Sequence, residues 1–288
     1  MSATSEVLYD VSERIATITL NRPERMNTIS PGLTDGLAER MVDAAADPGV
    51  RAIILTGAGR AFCAGADMQS LQKSSAGGPR QAPPPTDPKF LKSLNPTGLG
   101  PDLGGEFVDR RRFSYFMRVR KPIIAALNGP VAGLGFVMAL CADFRYAAND
   151  MVFTTSFAQR GLIAEHGISW LLPRLVGPQN ALDLLMSARR VSAVEAKQMG
   201  LVKDLFPRDE LMAQVRNYAK LLAQTVSPRS MAVIKAQVWK SLGQSYSEAL
   251  ASADHELELS MPLPDYKEGV AHYVEKRPAN FPDLVVGS

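Results

Sequence analysis

Twice in this chain a short apolar run stops abruptly at a glycine-rich turn. Arg51-Ala-Ile-Ile-Leu-Thr56 leads to Ala61-Phe-Cys-Ala-Gly-Ala-Asp-Met68, and Pro122-Ile-Ile-Ala-Ala-Leu127 leads to Asn128-Gly-Pro-Val-Ala-Gly-Leu-Gly-Phe-Val-Met-Ala-Leu-Cys-Ala-Asp143. Runs of this length and β-branched content read as buried strands. The glycines after them let backbone come close to backbone, or to a ligand, with no Cβ in the way. Gly133-Leu-Gly135 then opens an apolar helix to about Leu140. A helix N-terminus presents unpaired N–H groups and partial positive charge. Two peptide N–H donors brought together from two such turns would form an oxyanion hole.

The flanking sequence predicts an α/β fold. Val7–Val11 and Ile15–Leu20 read as a hairpin around Ser12-Glu13-Arg14, with β-branched residues supporting strand. Ser30 is a good N-cap and Pro31 suits the first helical position, so a helix is expected from Pro31 to Ala46, ended by Asp47-Pro-Gly49. Strand, helix, strand, helix in this order predicts a core with repeated crossovers. Two short strands are expected at Asp143–Ala147 and Met151–Phe153. From Pro178 the pattern is helical, with Ala181, Leu184, Leu185 and Ala188 at helical spacing and a capping box at Ser192 and Glu195. Further helices are expected over Glu210–Val226, Met231–Leu242, Ser247–Leu259 and Asp265–Glu275.

The stretch from Ser70 to Gly105 is different, because Pro83-Pro-Pro85 and Asn95-Pro-Thr-Gly-Leu-Gly-Pro101 oppose regular structure. Two readings of it stay open: a solvated surface insertion, or a lid over the ligand.

Composition excludes several classes. At 288 residues with a net charge of +3, the chain is too mildly and too evenly basic to argue for nucleic acid. Its two cysteines, Cys63 and Cys141, lie among small and apolar residues, as in a reduced protein. Three histidines and two cysteines, all scattered, make no metal constellation. Met1–Glu6 has neither a basic region nor an apolar core, so no secretory signal is read there, and no run is long enough to cross a bilayer. A cytoplasmic location with no membrane partner is the expectation.

The two glycine turns, at this spacing, resemble the crotonase (enoyl-CoA hydratase/isomerase) superfamily. The resemblance starts at Ile15-Ala-Thr-Ile-Thr-Leu-Asn-Arg-Pro-Glu-Arg-Met-Asn27 and ends at Val274-Glu-Lys-Arg-Pro-Ala-Asn-Phe281. It implies a crotonase-like ββα spiral core with a helical C-terminal region. The core would span 1–205, with the insertion at about 70–105, and 206–288 would serve oligomerisation and coenzyme A contact. It further implies an acyl-CoA thioester substrate, no separate cofactor because coenzyme A enters with the substrate, and a homotrimer or dimer of trimers.

Residue by residue, the resemblance makes the backbone N–H groups of Ala66 and Leu134 the oxyanion-hole donors. Arg25, Ala64, Asp67 and Met68 match positions along the coenzyme A groove, and Lys276, Arg277 and Phe281 match the C-terminal end that approaches coenzyme A. For Lys276 and Arg277 a solvated helix end is an equal alternative. Typical enoyl-CoA hydratases carry two glutamates where this chain has Val137 and Phe157, and neither of these can transfer a proton. Here they would line the acyl pocket.

Glu165 remains, in Gly161-Leu-Ile-Ala-Glu-His-Gly167. This segment resembles the one in 3-enoyl-CoA to 2-enoyl-CoA isomerases whose lone acid/base is a Glu. Taken without the resemblance, Glu165 and His166 also read as solvated loop residues, and His166 as a bystander. The favoured expectation is double-bond isomerisation through Glu165. The alternatives are hydration by Glu165 alone, a hydrolase or dehalogenase with a carboxylate nucleophile, and a non-catalytic acyl-CoA or RNA binder.

Overall fold

The fold opens on the expected hairpin. β1 (Val7–Ser12) and β2 (Ile15–Leu20) pair antiparallel, with Val7 opposite Leu20. Glu13 and Arg14 between them have φ of 53° and 65°, the left-handed pair that a two-residue hairpin turn needs. The computed structural model describes residues 5–67, 72, 76–77, 87–103 and 113–284. Met68 and most of the first half of the 70–105 stretch lie outside the described residues.

Helix α1 (Pro31–Ala46) starts as the sequence predicts: Ser30 Oγ accepts the Leu33 N–H at 3.0 Å, and Pro31 stands in the first turn. At its other end Lys121 Nζ donates to Ala44 O (2.7 Å) and Asp47 O (2.5 Å), two carbonyls a helix C-terminus leaves without intrahelical partners. The chain then enters β3 (Ala52–Gly57), and later β4 (Ile123–Leu127), β5 (Val131–Ala132), β6 (Phe144–Ala148), β7 (Val152–Thr154), β8 (Val191–Ser192) and β9 (Asp204–Phe206). The larger sheet runs β1-β2-β3-β4-β6-β9, parallel from β2 onward. The smaller runs β5-β7-β8. β3 and β4 are buried at every position, as central strands of a parallel sheet should be.

Along the described residues the helices after α1 are α2 (Pro88–Leu94), α3 (Leu134–Cys141), α4 (Ile168–Ser187), α5 (Ala193–Gln198), α6 (Arg208–Thr225), α7 (Pro228–Ser241), α8 (Tyr246–Ser260) and α9 (Pro264–Glu275). α6 lies on the large sheet against β3, β4 and β6. Its Leu211, Val215, Ala219 and Ala223, four residues apart along one face, are fully buried. α7 is tied to the core by a buried ion pair: Lys235 Nζ donates to Asp143 (2.6 Å), Phe116 O (3.1 Å) and Lys121 O (3.2 Å), while Asp143 also accepts the Ile123 N–H (2.7 Å). All three ammonium protons are used, which offsets the cost of burying that charge.

Two local expectations need correction. Within the Pro- and Gly-rich stretch, residues 88–94 form a helix, because Asp87 caps it by accepting the Lys89 N–H (2.9 Å) and Pro88 sits at its start. Leu94 is buried, α2 packs on α1, and Phe90 meets Tyr115 edge-on at 5.5 Å. At α5, Ser192 Oγ accepts the Glu195 N–H (3.2 Å), but Glu195 turns to Arg189 (2.5 Å) instead of closing a capping box. That reciprocal arrangement forms at Ser245 and Glu248.

Candidate active site

The register of the large sheet explains why the two glycine turns meet. Leu20 lies opposite Gly57, and Thr56 opposite Ala126. The carboxyl ends of β2, β3 and β4 therefore form one row, and the segments beginning at Asn21, Ala58 and Asn128 all leave from it. In parallel α/β sheets this carboxyl edge is where ligands bind.

Three contacts join those segments. Cys63 bridges Val131 in parallel, with the Ala132 N–H donating to Cys63 O at 3.0 Å. The Ala64 N–H donates to Met26 O (3.0 Å), and the Ile29 N–H to Gly65 O (2.8 Å). Ile29 and Ala66 form a parallel bridge. In such a bridge the residue bonded on both sides is Ile29, so the Ala66 N–H points away from it, toward the second turn's side of the strand.

The second turn closes against Gly65. A Cβ built there would lie 2.7 Å from Ala132 O and 3.4 Å from Leu134 N, and one built on Gly133 would lie 4.0 Å from Gly65 Cα. Gly133 (φ 51°, ψ −118°) is the N-cap of α3, so Leu134 is the first helical residue and its N–H belongs to the unpaired set at a helix start. Further along, Gly135 packs so tightly on Cys63 that a Cβ would lie 2.3 Å from Cys63 O. Gly65 and Gly135, where an added Cβ would collide with backbone, thus bring the segment carrying Ala66 close to the start of α3 at Leu134.

The remaining candidates divide by position. Arg25 is exposed and Ala64 and Asp67 are partly buried, all three in the joined segments. Val137 on α3 is fully buried, and Phe157 is 5% exposed. Gly133 N donates to Thr154 O (3.1 Å), which sets the chain leading to Phe157 beside the second turn. Glu165 follows on a short connection, at the start of α4, and α4 packs on α3. Its side chain is 23% exposed and its Oε2 lies 3.7 Å from His166 Nε2, so the two side chains are semi-enclosed while Ile163 is 79% exposed. His166 has φ 57°, a left-handed conformation uncommon outside glycine though histidine visits it more than most, followed by Gly167 at φ 77°. Burial pushes the Cys63 thiol up to about 12, so it is held as an inert packing group.

The C-terminal candidates lie elsewhere in the fold. Arg51, just before β3, donates to Phe281 O (2.6 Å) and to Asp283 (2.6 Å), and Arg14, just before β2, pairs with Asp283. Phe281 therefore docks at the amino edge of β3, about 17 Å from the carboxyl edge at ~3.3 Å per residue. Arg277 is paired with Glu268 (2.6 and 2.7 Å) and Glu275 (2.6 Å). Lys276 is the left-handed C-cap of α9. This chain alone does not bring Phe281 to Ala64 and Asp67. Sequence reasoning also missed Asn27, Asn128 and Arg208, which hold the segment from Gly57 to Ala61; their signal is that Asn27 ends the Ile15–Asn27 stretch and Asn128 opens the second glycine turn.

The Enoyl-CoA hydratase/isomerase family model matches residues 10–92 and 106–284. The chain belongs to that family. The family match leaves out 93–105, inside the Pro- and Gly-rich stretch. Among relatives, the chain is 31% identical to 1,2-epoxyphenylacetyl-CoA isomerase of Escherichia coli K12, covering 96% of this chain and 97% of the other. It is 34% identical to the probable enoyl-CoA hydratase EchA12 of Mycobacterium tuberculosis H37Rv, covering 93% and 90%. A solved probable enoyl-CoA hydratase/isomerase from Mycobacterium abscessus superposes with a TM-score of 0.81 at 27% identity, covering 97% of this chain and 100% of that one. The protein is thus an acyl-CoA enzyme with the crotonase fold. No helix of the described residues is long and apolar enough to cross a membrane.

Proposed function

We propose that this enzyme moves a double bond from the 3- to the 2-position of an acyl-CoA, with the Ala66 and Leu134 N–H groups binding the thioester oxygen and Glu165 carrying the proton. The carboxylate takes a proton from C2, leaving a dienolate whose charge rests on the thioester oxygen. It then returns the proton to C4, so no water is consumed and no other group is needed. Each fixed donor facing that oxygen is worth a few kcal/mol.

The observation that carries this reading is the pairing of one carboxylate with two apolar residues. Val137 and Phe157 are buried where hydration would need glutamates, while Glu165, eight positions after Phe157, is a partly enclosed carboxylate. Hydration through Glu165 alone is the second reading, favoured by the likeness to the probable enoyl-CoA hydratase of Mycobacterium tuberculosis. Incubation with 2-enoyl- and 3-enoyl-CoA thioesters of several lengths, with products resolved by mass, decides between them. Isomerisation leaves the mass unchanged and hydration adds one water.

Arg25, Ala64 and Asp67 would hold coenzyme A at the carboxyl edge, and no cofactor beyond the substrate's own coenzyme A is invoked. Lys276, Arg277 and Phe281 reach such a site only from a second copy. Apolar side chains exposed on α7 and α9, Ile234 (56%) and Val274 (72%) among them, favour assembly into a trimer or a dimer of trimers. A monomer by light scattering at micromolar concentration would remove both points.

A further inference from the structure

Between the end of β3 and the first glycine turn lie five consecutive carbonyl oxygens, Gly57 to Ala61, and each accepts a hydrogen bond from a side chain. Asn128 Nδ2 donates to Gly57 O (2.8 Å) and Gly59 O (3.0 Å). Asn27 Nδ2 donates to Ala58 O (3.0 Å) and Ala61 O (2.8 Å). Arg208 Nη1 donates to Arg60 O (3.2 Å), its guanidinium braced by Asp150 at 2.9 Å. An irregular segment has no ladder to satisfy its carbonyls, so these side chains fix its path.

Asn27 is fully buried and has φ 54°, a conformation asparagine tolerates better than most residues. Its Oδ1 accepts the Arg22 N–H at 2.8 Å. The amide thus uses its acceptor and both donors at once, which no carboxylate of the same shape can do. Its neighbour Met26 accepts the Ala64 N–H, so Asn27 locks the Arg22–Ile29 segment, the 57–61 turn and the strand carrying Ala66 into one unit. Asn128 begins the second turn yet grips the first, its Oδ1 also accepting the Gly57 N–H (3.2 Å).

We infer that Asn27 and Asn128 are positioning residues that set the separation of the Ala66 and Leu134 donors. The inference rests on the oxyanion-hole reading above. Neither side chain touches the substrate; each acts through the backbone it holds.

The test uses cinnamoyl-CoA, a conjugated enoyl thioester whose absorption band moves to longer wavelength when donors polarise its carbonyl. The wild type should shift the band on binding. Asn27→Asp, which keeps the acceptor and loses both donors, should lose most of the shift. Its kcat on a 3-enoyl-CoA should fall about 100-fold, the cost of roughly 1 Å of misplacement, with affinity for free coenzyme A unchanged. A folded Asn27→Asp with the full wild-type shift overturns the inference. If Asn27→Asp does not fold, Asn128→Ala, at a partly exposed position, decides: a lost shift with intact coenzyme A affinity supports the inference, and a full shift overturns it. Absence of any shift in the wild type would instead defeat the hole reading, and the inference with it.

Discussion

Gly65→Ala is the substitution that most directly probes the meeting of the two turns. The new Cβ would sit 2.7 Å from Ala132 O, and Gly65 has φ +89°. Two costs follow. An L side chain at positive φ costs roughly 1–2 kcal/mol. Relieving the contact needs a displacement of about 0.7 Å to reach ordinary van der Waals separation, and the atom that must yield is backbone two residues from the Leu134 donor. Misplacement of that order costs about 10- to 100-fold in rate, since ~1 Å can cost 100-fold. Gly98→Ala is the matched control, with φ +67° and nothing within 4 Å of the added methyl. Gly98→Ala should lose only the backbone-conformation cost in thermal melts, and Gly65→Ala should lose more, because it adds the collision with Ala132 O. Single-turnover rates on a 3-enoyl-CoA should fall only for Gly65→Ala. If the two variants turn over equally fast, the turns do not form a shared site and the oxyanion-hole geometry is wrong.

Ala66→Pro or Leu134→Pro removes a donor N–H outright; a folded variant of either with near-normal turnover would refute that donor's assignment. Glu165→Gln should lower kcat about 10²- to 10⁴-fold, the typical worth of one positioned acid/base, with acyl-CoA affinity little changed; rapid-quench rates and binding titrations read the two separately. Conservative apolar swaps at Val137 and Phe157 should leave the same rates near wild type, and a large loss at either would argue that it does more than line the pocket. Burial pushes the Lys121 ammonium down to about 8, so the unfolded chain holds more protons above that value and folding stability should rise from pH 8 toward 10.5. Deprotonation leaves two amine N–H groups for the two carbonyls it serves, so no hydrogen bond is lost. Denaturant titrations of Lys121→Met should lack that rise, and an equal rise in both proteins would refute the assignment.

Much of the architecture was legible because it is local. The strands that became β2, β3 and β4 announce themselves as β-branched runs, and Ser30-Pro31 marks a helix start within two residues. The helix at Pro88–Leu94 escaped because prolines and glycines on either side dominate the composition, while its signal is one cap, Asp87, directly before Pro88. The glycines were legible as close approaches, but not what they approach: Gly65 meets Ala132 across 67 positions.

What could not be read is the use each charged or amide side chain is put to, because its partners are chosen by the fold. Arg277 reads in the sequence as a coenzyme A contact or a solvated helix end, yet Glu268, nine positions back, and Glu275 take its guanidinium. Arg51 reads only as the first residue of a buried apolar run, yet it anchors Phe281 and Asp283 across more than two hundred residues. Asn27 and Ala61 are 34 positions apart, a separation with no periodicity to betray it. These contacts share one property: each is a side chain satisfying backbone or charge that regular structure leaves open. The catalytic reading needs only two N–H groups and one carboxylate. Holding the N–H groups in place takes side-chain amides whose identity follows from counting donors and acceptors, which requires the fold to be known first.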